Sequence, residues 1–138
     1  MREFFVDTNV LIDLVIVREP YTTYAKELFK IAKEKSIMMY ICAISYNNAF
    51  YIIRKRLGRE TAEMSIKLIS TITKCLPVDF SIIQQAMASQ FLDFEDAIQY
   101  FCALQIPKCE AIITRDVKDF KLSAIPVIKP DTFLGEEM

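Results

Sequence analysis

Short apolar runs of strand length recur along this chain, and segments of helical period separate them. The runs are residues 3–6, 38–42, 75–78, 110–114 and 125–128. Between them the apolar spacing turns helical. Ala25, Leu28, Phe29 and Ala32 share one face of 21–36, with Lys26, Glu27, Lys30, Lys33 and Glu34 opposite. Ser45 is placed to cap a helix that carries Ala49, Ile52, Ile53 and Leu57 and stops at Gly58. Residues 60–73 predict a helix with Met64, Leu68, Ile69 and Ile72 inward, followed by helices over 80–89 and 93–105. Strand and helix in alternation predict an α/β domain with a largely parallel sheet and crossover helices. At 138 residues, 53% of them hydrophobic, the chain suits a single domain over 1–138. Two glycines and five prolines leave little room for linkers.

Several chemistries drop out at once. The chain has no histidine, which removes Ser-His-Asp and Cys-His catalysis and His-ligated metals. Cys42, Cys75, Cys102 and Cys109 form no C-x-x-C pair and lie in apolar stretches, so they read as reduced core residues. No apolar run approaches the roughly 20 residues that span a bilayer, and the N-terminal run is too short for a signal peptide. The expected setting is the cytoplasm, without a membrane partner. What remains is acid–base or metal chemistry through carboxylates, which favour hard cations. The net charge of −1 advertises no basic body for nucleic acid, so local charge must carry that argument.

The carboxylates fall where such chemistry gathers. In an open parallel sheet, ligands collect at the carboxyl ends of the strands. Asp7 follows the strand at 3–6, and Asp116 follows the strand at 110–114 after Arg115. In "DFEDAIQYFCA", Asp96 heads an apolar helical face that includes Ala97, Ile98, Phe101 and Leu104. Asp93, one turn earlier, suits either a metal ligand or a helix N-cap. Converging carboxylates raise one another's pKa, and a divalent cation offsets that repulsion. Such an ion also lowers the pKa of a bound water and stabilises charge on phosphoryl oxygens.

"VDTNVLIDL", "DFEDAIQYFCA" and "AIITRDVKDF", in that order, resemble the PIN domain, and in particular the single-domain VapC type. The resemblance covers essentially the whole chain. It implies a three-layer α/β/α fold with a central, mostly parallel sheet. It implies a ribonuclease dependent on Mg²⁺ or Mn²⁺, the toxin half of a toxin–antitoxin pair, with RNA as substrate and an antitoxin protein as partner. Asp7, Asp96 and Asp116 match the first, third and fourth acids of the family. Asn9 matches the polar residue that helps hold the acidic cluster, Thr114 the Ser/Thr before the fourth acid, and Asp119 an accessory acid. The second family acid is usually Glu in a Ser/Thr-x-x-Glu context. Here the context reads "SYNN" and Asn48 takes that position. Asn48 can offer a carbonyl oxygen to a cation or hydrogen-bond within the cluster, and it brings no charge.

Arg115, Lys118 and Lys121 flank Asp116 and suit contact with RNA phosphates. Arg54, Lys55, Arg56 and Arg59 suit the same role, or a favourable cationic helix end on a solvated face. The apolar surface of 45–73 fits a homodimer or an antitoxin segment, or burial within the monomer. Asp13, beyond a turn of apolar residues, reads as structural. Two functions thus stand side by side. One is an endoribonuclease using Asp7, Asp96 and Asp116. The other, motivated by Asn48, is a weak or inactive PIN fold that binds RNA or a protein.

Overall fold

The computed structural model describes residues 1–137. Its elements run β1 (Glu3–Val6), α1 (Thr8–Asp13), α2 (Tyr21–Glu34), β2 (Met38–Cys42), α3 (Ala43–Leu57), α4 (Arg59–Ile72), β3 (Lys74–Leu76), α5 (Phe80–Ala88), α6 (Phe94–Ala103), β4 (Cys109–Ile113), β5 (Val127–Ile128) and α7 (Pro130–Glu137), with a 3-10 turn at Val117–Phe120. The five strands form one sheet in the order β3-β2-β1-β4-β5, every pairing parallel.

The period of two in the strands sorts side chains onto the two faces. Phe4 and Val6, Met39 and Ile41, and Ala111 and Ile113 pack with Leu28, Phe29 and Ile31 of α2, Ile69 of α4 and Phe133 of α7. Phe5, Cys42 and Ile112 face the other way, onto Ile82 and Ala86 of α5 and Ala97, Ile98 and Cys102 of α6. Helices therefore cover both faces, giving the expected α/β/α layering. A parallel sheet needs this, because both its faces are apolar. β1 is the central strand and is hydrogen-bonded on both sides, so whatever follows it is delivered to the middle of the carboxyl edge.

The structure departs from the sequence expectations at several places. Residues 8–13 form a helix rather than a turn. Pro130–Glu137 forms a further helix that packs Phe133 edge-on against Phe4, with ring centroids 5.2 Å apart. α3 starts at Ala43, so Ser45 lies inside the helix, fully buried, rather than at its cap. In α4 the inward residues are Ala62, Ser65 and Ile69, while Met64 and Leu68 are exposed. α4 packs closely on α3, where Ala49 and Ala62 meet, and close helix approach selects small residues. Ile52, Leu57 and Leu104 are exposed as well. Cys75 is exposed because β3 is an edge strand, while Cys42 and Cys102 are buried and all four thiols are free. Gly58 has φ +91°, which glycine adopts without steric cost as it ends α3 and starts α4. Among the described residues no helix is long and apolar enough to cross a membrane.

Phe5 is completely buried in the central strand. Phe5→Ala should lower unfolding free energy by about 3–5 kcal/mol in urea titration. Leu92→Ala, at a residue 97% exposed, should stay within about 0.5 kcal/mol of the parent. Equal effects would mean that the two-sided core is not what holds the sheet.

Candidate active site

β1 ends at Val6, and the next residue, Asp7, turns the chain into α1. Its amide still donates to the Ile113 carbonyl of β4 at 2.9 Å, so the backbone is anchored to the sheet while the side chain leaves it. Asp7 is 5% exposed. Gln99 of α6 donates through Nε2 to Asp7 Oδ1 at 2.8 Å, and the Thr114 hydroxyl donates to Oδ2 at 2.6 Å. Gln99 cannot be turned the other way, because its Oε1 accepts the Thr8 amide at 3.0 Å. The Thr8 hydroxyl donates to Ser45 Oγ of α3 at 2.8 Å. A polar thread thus runs from α3 through α1 and α6 to the ends of β1 and β4.

Asp116 lies two residues beyond Thr114, and its amide donates back to Thr114 Oγ1 at 3.1 Å. Asn9 donates through Nδ2 to Asp116 Oδ2 at 3.1 Å. Asn9 Oδ1 is buried and, among the described residues, has no hydrogen-bond partner. Asp93 caps α6 by accepting the Asp96 amide at 3.0 Å, which sets Asp96 in the first turn.

Asp7, Asn9, Asp93, Asp96, Asp116 and Asp119 line one open cavity of about 240 Å³, together with Thr8, Ile12, Ile52 and Glu95. The three principal acids named from the sequence therefore meet there, with Asp93 and Asp119; Asp13 is not among the lining residues. Thr114 acts from behind, through Asp7. Asn48 is half-buried on α3 and is not among the lining residues; α3 presents Ile52 to the cavity one turn later. Arg115 and Lys118 flank the cavity rather than line it, bordering an adjoining hollow with Asp116, Val117, Asp119 and Lys129. The sequence reading missed Gln99, Ser45 and Glu95, and gave Thr8 no chemistry. Gln99 had one signal: it is the polar residue one turn after Asp96 on an otherwise apolar helix.

The electrostatics are those of crowded, partly buried acids. Burial pushes the Asp7 carboxyl up to about 6, against the donors Thr114 and Gln99, which hold it down. Asp96 is pushed up to about 8, first by burial and then by Asp7, Asp93, Asp119 and Glu95. Among the described residues no three acidic or cysteine side chains are already arranged around an ion position. Charge and donor chemistry nonetheless fit a hard divalent cation. Every donor is oxygen, the acids repel one another, and Asn9 Oδ1 is buried without a partner.

The chain matches the family model described as the PIN domain over residues 3–118. None of the curated proteins matches it in sequence. It is similar to the DNA-bound VapBC of Salmonella typhimurium, with TM-score 0.72 and 16% identity over 94% of this chain and 99% of that one. VapC20 of Mycobacterium tuberculosis, described as a sarcin-ricin-loop-cleaving toxin, gives TM-score 0.63 and 17% identity over 79% and 86%. A toxin–antitoxin complex from Klebsiella pneumoniae gives TM-score 0.63 and 25% identity over 92% and 97%. At these identities the likeness is one of fold.

Two outcomes follow from the site. Asp7 and Asp96 titrate above their ordinary value of 3.8 when folded. The folded state then holds more protons than the unfolded state, so metal-free stability falls as pH rises through that interval. After chelation the protein should melt several degrees higher at about pH 5 than at about pH 8.5. Mg²⁺ or Mn²⁺ should raise the melting temperature more at the higher pH. A chelated melting temperature that climbs with pH would contradict the crowding of these acids. Secondly, Gln99→Leu strands the Thr8 amide and strips a donor from Asp7. It should cost about 1–3 kcal/mol at neutral pH in urea titration, and an unchanged midpoint would deny the clamp.

Proposed function

The chain belongs to the PIN domain family, and from that premise we propose that it is a divalent-metal-dependent endoribonuclease acting at the acidic cavity. The observation that carries this reading is the gathering of Asp7, Asp96 and Asp116 in one cavity, with Asp7 and Asp96 pushed well above the usual carboxylate range. Asp7, Asp96 and Asp116 would hold Mg²⁺ or Mn²⁺. Bound there, the ion lowers the pKa of a water and offsets charge on the phosphoryl oxygens.

The chain's own residues do the rest. Gln99 and Thr114 fix the Asp7 carboxylate at the cavity wall. Asn9 holds Asp116 through Oδ2, so that its carboxylate would be oriented for a cation. Asp96, set in the first turn of α6 by the Asp93 cap, adds its carboxyl to the same wall. Asp93 and Asp119 add negative charge at the rim. Arg115 and Lys118 neutralise phosphates of the RNA as it approaches.

The fold neighbours support a toxin role, with an antitoxin as partner and cellular RNA as target, which would put the protein in the cytoplasm. Exposed Tyr51, Ile52, Leu57, Met64 and Leu68 on α3 and α4 supply an apolar surface for a homodimer or for that antitoxin. The second reading, a weak or inactive binding module, draws on the α3 wall. Ile52 lines the cavity there, and Asn48 brings no charge.

Purified protein with mixed single-stranded and structured RNA should cleave with Mn²⁺ or Mg²⁺ and not with chelator. Asp7→Asn and Asp116→Asn should each lower the rate by more than about a hundredfold. Binding of RNA without cleavage under either metal would favour the binding module. Asn48→Glu is then the informative variant: cleavage gained there would assign the weakness to the missing acid.

A further inference from the structure

A second cleft adjoins the acidic cavity and carries the opposite charge. It measures about 480 Å³ and is lined by Ile12, Asp13, Ile16, Val17, Ile52 and three arginines, Arg18, Arg56 and Arg115. Ile12 and Ile52 line both hollows, so the two open side by side across a shared apolar ridge. The arginines come from three separate parts of the chain: the α1–α2 loop, the last turn of α3 and the turn after β4. The sequence reading assigned Arg56 no role apart from its neighbours and did not notice Arg18.

Two of the arginines are held in place. Arg115 donates through Nε to Asp13 Oδ2 at 2.7 Å, with the Asp13 side chain 4% exposed. The Arg115 guanidinium lies 4.8 Å from the centre of the Tyr21 ring, and that of Arg18 lies 5.9 Å from the same ring. Both distances fall within cation–π range. Among the described residues neither Arg18 nor Arg56 has an acidic partner. Three cations share the cleft with one carboxylate. Asp13 uses only the Nε edge of Arg115, so its terminal amino groups are left for a ligand. Planar guanidinium groups that line one open cleft suit a phosphate better than a lone surface lysine would.

Resting on the ribonuclease reading, we propose that this cleft binds the RNA phosphate adjacent to the one positioned at the acidic cavity. The acidic side takes the cut phosphate only with a cation. The arginine side holds the neighbouring phosphate directly, and the Ile12–Ile52 ridge sets the step between them. Asp13 is then a positioning residue acting through Arg115.

The test uses the charge-matched pairs Arg18→Gln/Arg56→Gln and Lys67→Gln/Lys74→Gln on the full chain. Binding of a fluorescent single-stranded RNA is followed in Ca²⁺ buffer as salt is varied. The arginine pair should weaken binding about tenfold or more and reduce the salt slope by about 0.7, the share of one phosphate on a single strand, with the lysine pair leaving both nearly unchanged. With Mn²⁺ the arginine pair should raise KM for a long RNA and leave turnover of a dinucleotide, which has a single phosphate, untouched. Equal slope losses in the two pairs, or equal damage to dinucleotide turnover, would overturn the cleft assignment. So would displacement of the RNA by a glutamate peptide of matched charge, which would make the cleft a site for acidic protein. If the slope difference holds and wild type cleaves nothing, the ribonuclease reading fails and the cleft stands. Cleavage without a slope difference gives the reverse.

Discussion

The buried carboxylate of Asp7 is the constraint around which the rest is arranged. A carboxylate removed from water at the end of a central strand is costly unless donors surround it. Gln99 and Thr114 supply those donors, and each is drawn from a different element. Gln99 can serve only if α6 lies against β1, and Thr114 only if β4 stays in register with β1. The same glutamine takes the Thr8 amide, which satisfies an otherwise orphaned donor at the start of α1. One side chain therefore couples helix placement, strand register and the aim of Asp7. The donors do not fully offset burial, and the carboxyl stays above its usual range. That residual cost is what a bound cation would remove.

The strand ends were readable because their chemistry is local. Apolar runs fixed β1 and β4, polarity followed from the parallel order, and Asp7 and Asp116 had to emerge on one edge. Asp96 was readable from its place at the head of an apolar helical face, and Gly58 from its place after a helical run. α1 was not readable: six residues give less than two turns, too few to separate a helical period from a turn. α7 carries Gly135 and little amphipathic contrast, and its reason to be helical lies in Phe133 meeting Phe4. Met64 and Leu68 are apolar at helical spacing and yet exposed, because hydrophobicity alone does not decide burial. At the α3–α4 contact, close approach rewards Ala49 and Ala62 instead.

Gln99 shows the limit from another side. On its own helix it is a polar interruption with no assigned purpose. Only the partner 92 residues away makes it necessary. Arg18 and Tyr21 are the same kind of case, since their significance depends on Arg115 reaching them across the fold. Pairings of this length are tertiary facts, and neither period nor propensity encodes them.

Net charge was the weakest of the sequence signals, and the structure explains why. A value of −1 describes a sum over the chain, whereas a polyanion meets the charges one hollow at a time. Six acids border one cavity, and three arginines with a single aspartate border the next. The two regions adjoin across Ile12 and Ile52, so their opposite charges act at short range on whatever spans them. An RNA chain would therefore be repelled and attracted within a single nucleotide step. The acidic half would become attractive only with a divalent ion bound, while the basic half would need none. Segregation of this kind would make metal and RNA binding mutually supportive, since a cation would relieve the acids while the arginines would take the neighbouring phosphate. Neutral overall composition is thus compatible with a nucleic-acid site, provided that the opposing charges are kept on opposite sides of an apolar ridge such as Ile12 and Ile52.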